Sequence, residues 1–152
     1  MALQVFLEAP EGFISDLTVV GCYCQYQDTF LLLKRHPKCF SGEKWCLPGG
    51  KLNEGEARIE GARRELHEEA GVALVPKDLS HFLTFYFDRG DLKYDFTVYH
   101  CIFEKRPALQ IHLKEHTEGR WVTHEEAITF PLIAGGREVL DYCLQKRGDL
   151  SI

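Results

Sequence analysis

From Ala57 to Gly71 the chain reads ARIEGARRELHEEAG, and this segment carries two stripes at helical spacing. At about 100° per residue, Ile59, Ala62, Leu66 and Ala70 share an arc of about 80°, while Glu65, Glu68 and Glu69 share a separate arc of about 100°. A helix of this kind has to bury its apolar stripe against another element, so it needs a partner layer. Gly71 stands where a left-handed residue would end the helix. A helix from about Ala57 to Ala70, packed through one face, is therefore the first expectation.

The partner layer is legible on both sides of it. LTVVGCYCQY (Leu17–Tyr26) and TFLLLKR (Thr29–Arg35) read as two strands turning at Gln27-Asp28. HFLTFYFD (His81–Asp88) and KYDFTVYHCIFEK (Lys93–Lys105) read as two more, turning at Arg89-Gly90-Asp91. WCLPGG brings an extended segment to a corner at Pro48–Gly50, and KLNEGE reads as a loop. LKEHTEGR (Leu113–Arg120) reads as a polar loop, followed by a short strand WVT and a helical turn HEEAI with Thr123 as its cap. GGREVLDYCLQKRG closes as an amphipathic helix with Val139, Leu140, Cys143 and Leu144 on its apolar side. Strands, helix, strands, helix imply an α/β fold with a mixed β-sheet between helices, one domain over residues 1–152. The first dozen or so residues are expected to be a loose tail.

Charge and composition narrow the class of function. With 18 Lys and Arg against 23 Asp and Glu, the net charge is −5, which argues against a nucleic-acid polymer as partner. It leaves room for a phosphate-bearing small molecule if cations neutralise it locally. No apolar run approaches the length of a membrane span, and MALQVFLEAPEGF lacks the basic and apolar regions of a secretion signal. The six cysteines (Cys22, Cys24, Cys39, Cys46, Cys101 and Cys143) form no CxxC pair. Reduced thiols in a cytoplasmic protein are expected.

The glutamate stripe then asks for a reason. Like charges at i, i+3 and i, i+4 cost about 0.2–0.5 kcal/mol per pair in an isolated helix. One reading is a solvated acidic face with Arg63 and Arg64 as partners. The other is a cradle for a hard cation such as Mg²⁺, held by a few carboxylates, water and substrate phosphates.

Read outward, Gly50 to Val72 is GKLNEGEARIEGARRELHEEAGV, and it resembles the Nudix box, G-x5-E-x7-R-E-U-x-E-E-x-G-U with U aliphatic. Gly50, Glu56, Arg64, Glu65, Leu66, Glu68, Glu69, Gly71 and Val72 all fall on the pattern without a gap. The preceding W-x-LPGG also resembles MutT-type members of this superfamily. The resemblance implies a Nudix α/β/α sandwich and hydrolysis of a nucleoside diphosphate linked to another group, with Mg²⁺ as cofactor and Mn²⁺ as substitute. It implies Glu65, Glu68 and Glu69 as metal ligands with Glu69 most central, and the Gly50 carbonyl as a further ligand. Gly49 would let backbone approach the phosphates, Arg64 would orient Glu65, and Glu56 would be an outer or additional carboxylate. MutT-type members often recruit a carboxylate ahead of a tryptophan-bearing strand. LKEHTEGRW offers Glu115 and Glu118 there, with Glu115 preferred as ligand or base. Whether Glu65 or Glu115 is the general base stays open.

Substrate choice in this superfamily lies in loops outside the box. ADP-ribose-type members carry a proline downstream of it, and here no proline stands between Pro76 and Pro107. Diadenosine-polyphosphate members often carry a tyrosine in that region, where this chain has Tyr86. MutT uses an asparagine after a Phe-Pro element to read the purine edge, and TFPLIAGGRE has none. The short length and the W-x-LPGG element favour a nucleoside triphosphate, including oxidised ones such as 8-oxo-dGTP, cleaved to monophosphate and pyrophosphate. A dinucleoside polyphosphate or nucleotide sugar is the alternative substrate. A non-catalytic nucleotide-sensing domain is the alternative class, although such domains usually have a damaged box. Arg35, Lys51 and Arg120 are candidate phosphate contacts, and the choice between monomer and homodimer is open.

Overall fold

Leu31, Leu32 and Leu33 are consecutive and all fully buried, so the strand that carries them is covered on both faces. The computed structural model, which describes residues 2–150, shows what covers it. The elements are β1 (Gln4–Phe6), β2 (Leu17–Tyr26), β3 (Thr29–Arg35), β4 (Trp45–Cys46), β5 (Gly49–Lys51) and α1 (Arg58–Ala70). A 3₁₀ turn at Pro76–Asp78 leads to β6 (Ser80–Asp88), β7 (Lys93–Ile102), β8 (His116–Val122), α2 (His124–Ala127) and α3 (Gly136–Leu150). The domain expected over 1–152 extends past these residues at position 1 and at 151–152.

The sheet runs β1-β6-β7-β2-β3-β4, with β5 on β2 and β8 on β3. Its centre is the parallel pair β2–β7, in register from Leu17 with Tyr94 to Gln25 with Ile102. The other pairings are antiparallel, so the sheet is mixed. On one face Val20, Cys22, Cys24, Leu31 and Leu33 pack with Ala62, Leu66 and Ala70 of α1. On the other, Tyr23, Phe30, Leu32, Phe85 and Val98 pack with Val139, Leu140 and Cys143 of α3. The sandwich is the expected one, and each fully buried leucine side chain contributes roughly 1.5–3 kcal/mol. Gly71 ends α1 with φ 71°, donating its N–H to the His67 carbonyl. Among the described residues no helix is long and apolar enough to cross a membrane.

Three local expectations are corrected. The stretch expected as a loose tail contains β1, whose Gln4, Val5 and Phe6 pair with Asp88, Phe87 and Tyr86. Leu3 and Val5 pack onto the α3-side core, which holds that edge in place. Gly49–Lys51 is a strand rather than a corner and loop, with Gly21, Val20 and Val19 of β2 as its partners. His116–Arg120, expected within a polar loop, belongs to β8 and pairs along β3. Glu118 and Arg120 disguise that strand, yet they lie two residues apart on one face and pair at 2.7 Å, as strand periodicity requires.

Candidate active site

Helix α1 turns its glutamates toward β5. Glu69 is almost fully buried, and its Oε1 accepts a 2.7 Å hydrogen bond from the Gly49 N–H. Burial pushes its carboxyl up to about 9, the Gly49 bond opposes this, and the charges of Glu65 and Glu115 add to the rise. Burial likewise raises Glu65, against the pull of Arg64, with Glu68 and Glu115 adding to the rise. Glu65 and Glu69 are therefore poorly solvated and feel each other and the exposed Glu115, the electrostatic condition for a cation site.

Arg64 fixes the near side of this cluster. Its Nε and Nη2 donate to Glu56 at 2.8 and 2.9 Å, a two-pronged pair. Nη1 donates to Glu65 at 3.0 Å and to Glu68 at 3.3 Å, while Nη2 also reaches the Lys51 carbonyl at 3.2 Å. Hydrogen bonding to Arg64, and then to the Asn53 N–H, holds Glu56 down at about 2. Glu56 is thus committed to Arg64. The expected Arg64–Glu65 pair is present and belongs to a wider network.

The glycines are explained by what a side chain would strike. A Cβ on Gly50 would lie 2.6 Å from Glu65 Oε1, and one on Gly49 would collide with the Val20 carbonyl. Only bare backbone fits between β2 and the carboxylates. This cradle, with converging oxygen donors of like charge, fits a hard divalent cation.

The far side is delivered by the segment after β7. Gln110 and His112 donate their N–H groups to the carbonyls of Ala70 and Glu69 at 2.8 and 3.0 Å. These are the carbonyls that a helix end leaves without intrahelical partners. The chain then turns, with His116 N–H on the His112 carbonyl at 3.1 Å and the Glu115 carbonyl accepting from His36 N–H at 2.8 Å. Glu115 and His116 are thereby brought to Glu69, with one ligand atom of each residue within 4.8 Å of the others.

A sequence model of the NUDIX domain matches residues 16–143. The chain belongs to the Nudix family. It is 24% identical over 131 residues to the uncharacterised Nudix hydrolase YvcI of Bacillus subtilis (strain 168), covering 86% of this chain and 80% of that one. The MutT protein of Methanosarcina mazei Go1 superposes with a TM-score of 0.71 at 26% identity, covering 90% of this chain and 96% of that one. The Nudix domain of Shewanella oneidensis NrtR, solved with ADP ribose, superposes with a TM-score of 0.74 at 20% identity, covering 91% and 93%. As a Nudix hydrolase, the chain acts on pyrophosphate bonds of nucleoside diphosphate derivatives, a chemistry for which the family uses divalent metals.

Within this Nudix site the anticipated residues are not equally close. Glu65, Glu69 and Glu115 act on one another, and Gly49 and Gly50 line the same place. The Glu68 side chain is 56% exposed and reaches Arg64 rather than the buried cluster. Arg35 is near enough to act on Glu69 and His116, with its Nε tied to the Phe40 carbonyl at 2.6 Å. Lys51 is exposed on β5. Arg120 stacks 5.6 Å over Trp45 and 5.9 Å over Phe130. Tyr86 lines a different cleft with Phe13, Arg58, Asp95 and Tyr99. His116 was missed by sequence reasoning, and its signal was its place directly after Glu115 at the start of a strand.

Proposed function

We propose that this Nudix hydrolase cleaves nucleoside triphosphates, oxidised ones included, to the monophosphate and pyrophosphate in a Mg²⁺-dependent reaction, with Mn²⁺ as a substitute. The reading rests on one observation: Glu65 and Glu69 meet the bare backbone of Gly50 and Gly49, and Glu115 comes to Glu69 from a separate segment. Glu65, Glu69, Glu115 and the Gly50 carbonyl would hold the cation, with Glu68 at the exposed rim. When bound there, it would neutralise pyrophosphate oxygens and lower the pKa of the attacking water. Arg64 keeps the Glu65 carboxylate turned inward while Glu56 balances its charge. Arg35 and Lys51 would meet the phosphates, and Glu65 or Glu115 would take the proton from water.

A second reading, another nucleoside diphosphate derivative, is favoured by the likeness to the Nudix domain solved with ADP ribose. All six cysteines are free, which supports a reducing, cytoplasmic setting. The test is a panel of nucleoside triphosphates, dinucleoside polyphosphates and nucleotide sugars with Mg²⁺ or Mn²⁺, both products being identified. Pyrophosphate and monophosphate from a triphosphate are expected. Turnover confined to ADP-ribose-like or dinucleoside substrates would replace the first reading with the second.

A further inference from the structure

We infer that His116 is a nitrogen ligand to the divalent cation at Glu69 and Glu115, which biases this site toward first-row transition ions such as Mn²⁺ over Mg²⁺. The inference rests on the proposed role of those carboxylates in holding a cation, and it extends the ligand set beyond the box.

The observations that carry it concern the ring itself. His116 is 1% exposed. Its Nδ1 is the buried side-chain polar atom without a hydrogen-bond partner among the described residues. Leaving such an atom unsatisfied costs about 1–3 kcal/mol, so its presence asks for an occupant. A ring nitrogen lies within 4.8 Å of carboxylate oxygens on both Glu69 and Glu115. Metal–donor distances of about 2.0–2.6 Å put donors on one cation at most about 4–5 Å apart, the scale of this cluster.

The backbone leaves the ring little choice of position. His116 opens β8 opposite Arg35 of β3, with an irregularity in the register at Lys34 and Arg35. Its N–H is anchored on the His112 carbonyl, and His112 is anchored in turn on Glu69. The imidazole is thus held against the same helix end that presents Glu69. Imidazole nitrogen is a borderline donor, poorly suited to Mg²⁺ and better suited to first-row transition ions. An oxygen-only cluster would show less of this bias.

The test uses the full chain and Mn²⁺ alone. Electron spin-echo modulation of bound Mn²⁺ should show a directly coupled ¹⁴N nucleus, which changes to ¹⁵N on histidine labelling and disappears in His116→Gln. In that variant Mn²⁺ affinity should fall roughly 10-fold or more, the scale seen when groups that tune a metal site are lost. Mg²⁺ affinity should stay nearly unchanged. Bound Mn²⁺ without nitrogen coupling in the wild type would overturn the inference, and this readout needs no variant to fold. Coupling that persists in a folded His116→Gln would also overturn it. In either case Mn²⁺ binding that is lost in Glu69→Gln leaves the carboxylate reading standing. A wild type that binds no Mn²⁺ would remove both.

Discussion

Gly49 and Glu69 are joined by a 2.7 Å hydrogen bond from backbone to carboxylate, which ties the strand beside β2 to the buried end of the Nudix helix. In Glu69→Gln the side-chain oxygen can still accept that bond, while the charge is gone. Turnover should fall by roughly three orders of magnitude, the equivalent of several kcal/mol of lost charge stabilisation. The melting temperature without metal should hold or rise, because a buried carboxylate is replaced by a neutral amide. Steady-state kinetics beside a thermal melt check both halves.

Metal should stabilise the fold through the same group. At a Mg²⁺ concentration of about 100 times Kd, binding to the native state alone contributes about 2.7 kcal/mol. Wild-type protein should melt at a higher temperature with added Mg²⁺, and Glu69→Gln should show little of this response. Calorimetric scans across a Mg²⁺ series read it directly.

Ala at Gly50 and at Gly49 should fail differently. At Gly50 the added Cβ meets the Glu65 carboxylate at 2.6 Å, so the side chain turns away and activity and metal affinity fall first. At Gly49 the obstacle is the Val20 backbone, which cannot turn away, so stability falls by about 1–3 kcal/mol as in other overpacked interiors. Urea unfolding and Mg²⁺ titration of the two variants should separate these failures.

Arg64→Lys keeps the charge and loses the fork that holds Glu56 through two nitrogens. Lysine cannot serve Glu56, Glu65 and Glu68 together. A 10–100-fold loss of activity is expected, the range typical for groups that orient metal ligands. Circular dichroism should find the fold intact.

Acid should weaken the fold through His100. This ring is buried, bonded to Gln25 at 2.7 Å and packed at a tilt against Phe82, with ring centroids 4.3 Å apart. Burial lowers its pKa from 6.5 to about 4. Between those values the unfolded chain binds the proton and the folded chain does not. The stabilisation is fully present above pH 6.5 and is lost as pH falls through about 4. Nuclear magnetic resonance should find the His100 ring neutral at pH 5.5, and His100→Phe should flatten part of the stability loss over this window.

The α1 helix and its carboxylates were legible because a 3.6-residue period and a fixed spacing of Gly50, Glu56, Arg64, Glu65, Glu68 and Glu69 both leave marks in residue type. β3 was legible as a strand over Thr29–Arg35, while its burial on both faces is seen only in the fold. β1 was not, because three residues are too few to establish an alternation. β8 was not, because Glu118 and Arg120 resemble loop residues until their partnership is seen. His116 was hidden with it. The bonds from Gln110 and His112 to the end of α1 involve only backbone atoms, so no side chain announces them.

Those two backbone bonds give the molecule a built-in alignment device. The strap carrying Glu115 is fastened to the same helix tip that carries Glu69, so a tilt of the helix moves both sides of the cradle together. Their separation is therefore set within a few residues of chain rather than across the sheet. Extra length is tolerable before Gln110, where it would bulge outward, while a single residue inserted between His112 and Glu115 would throw the two halves out of step.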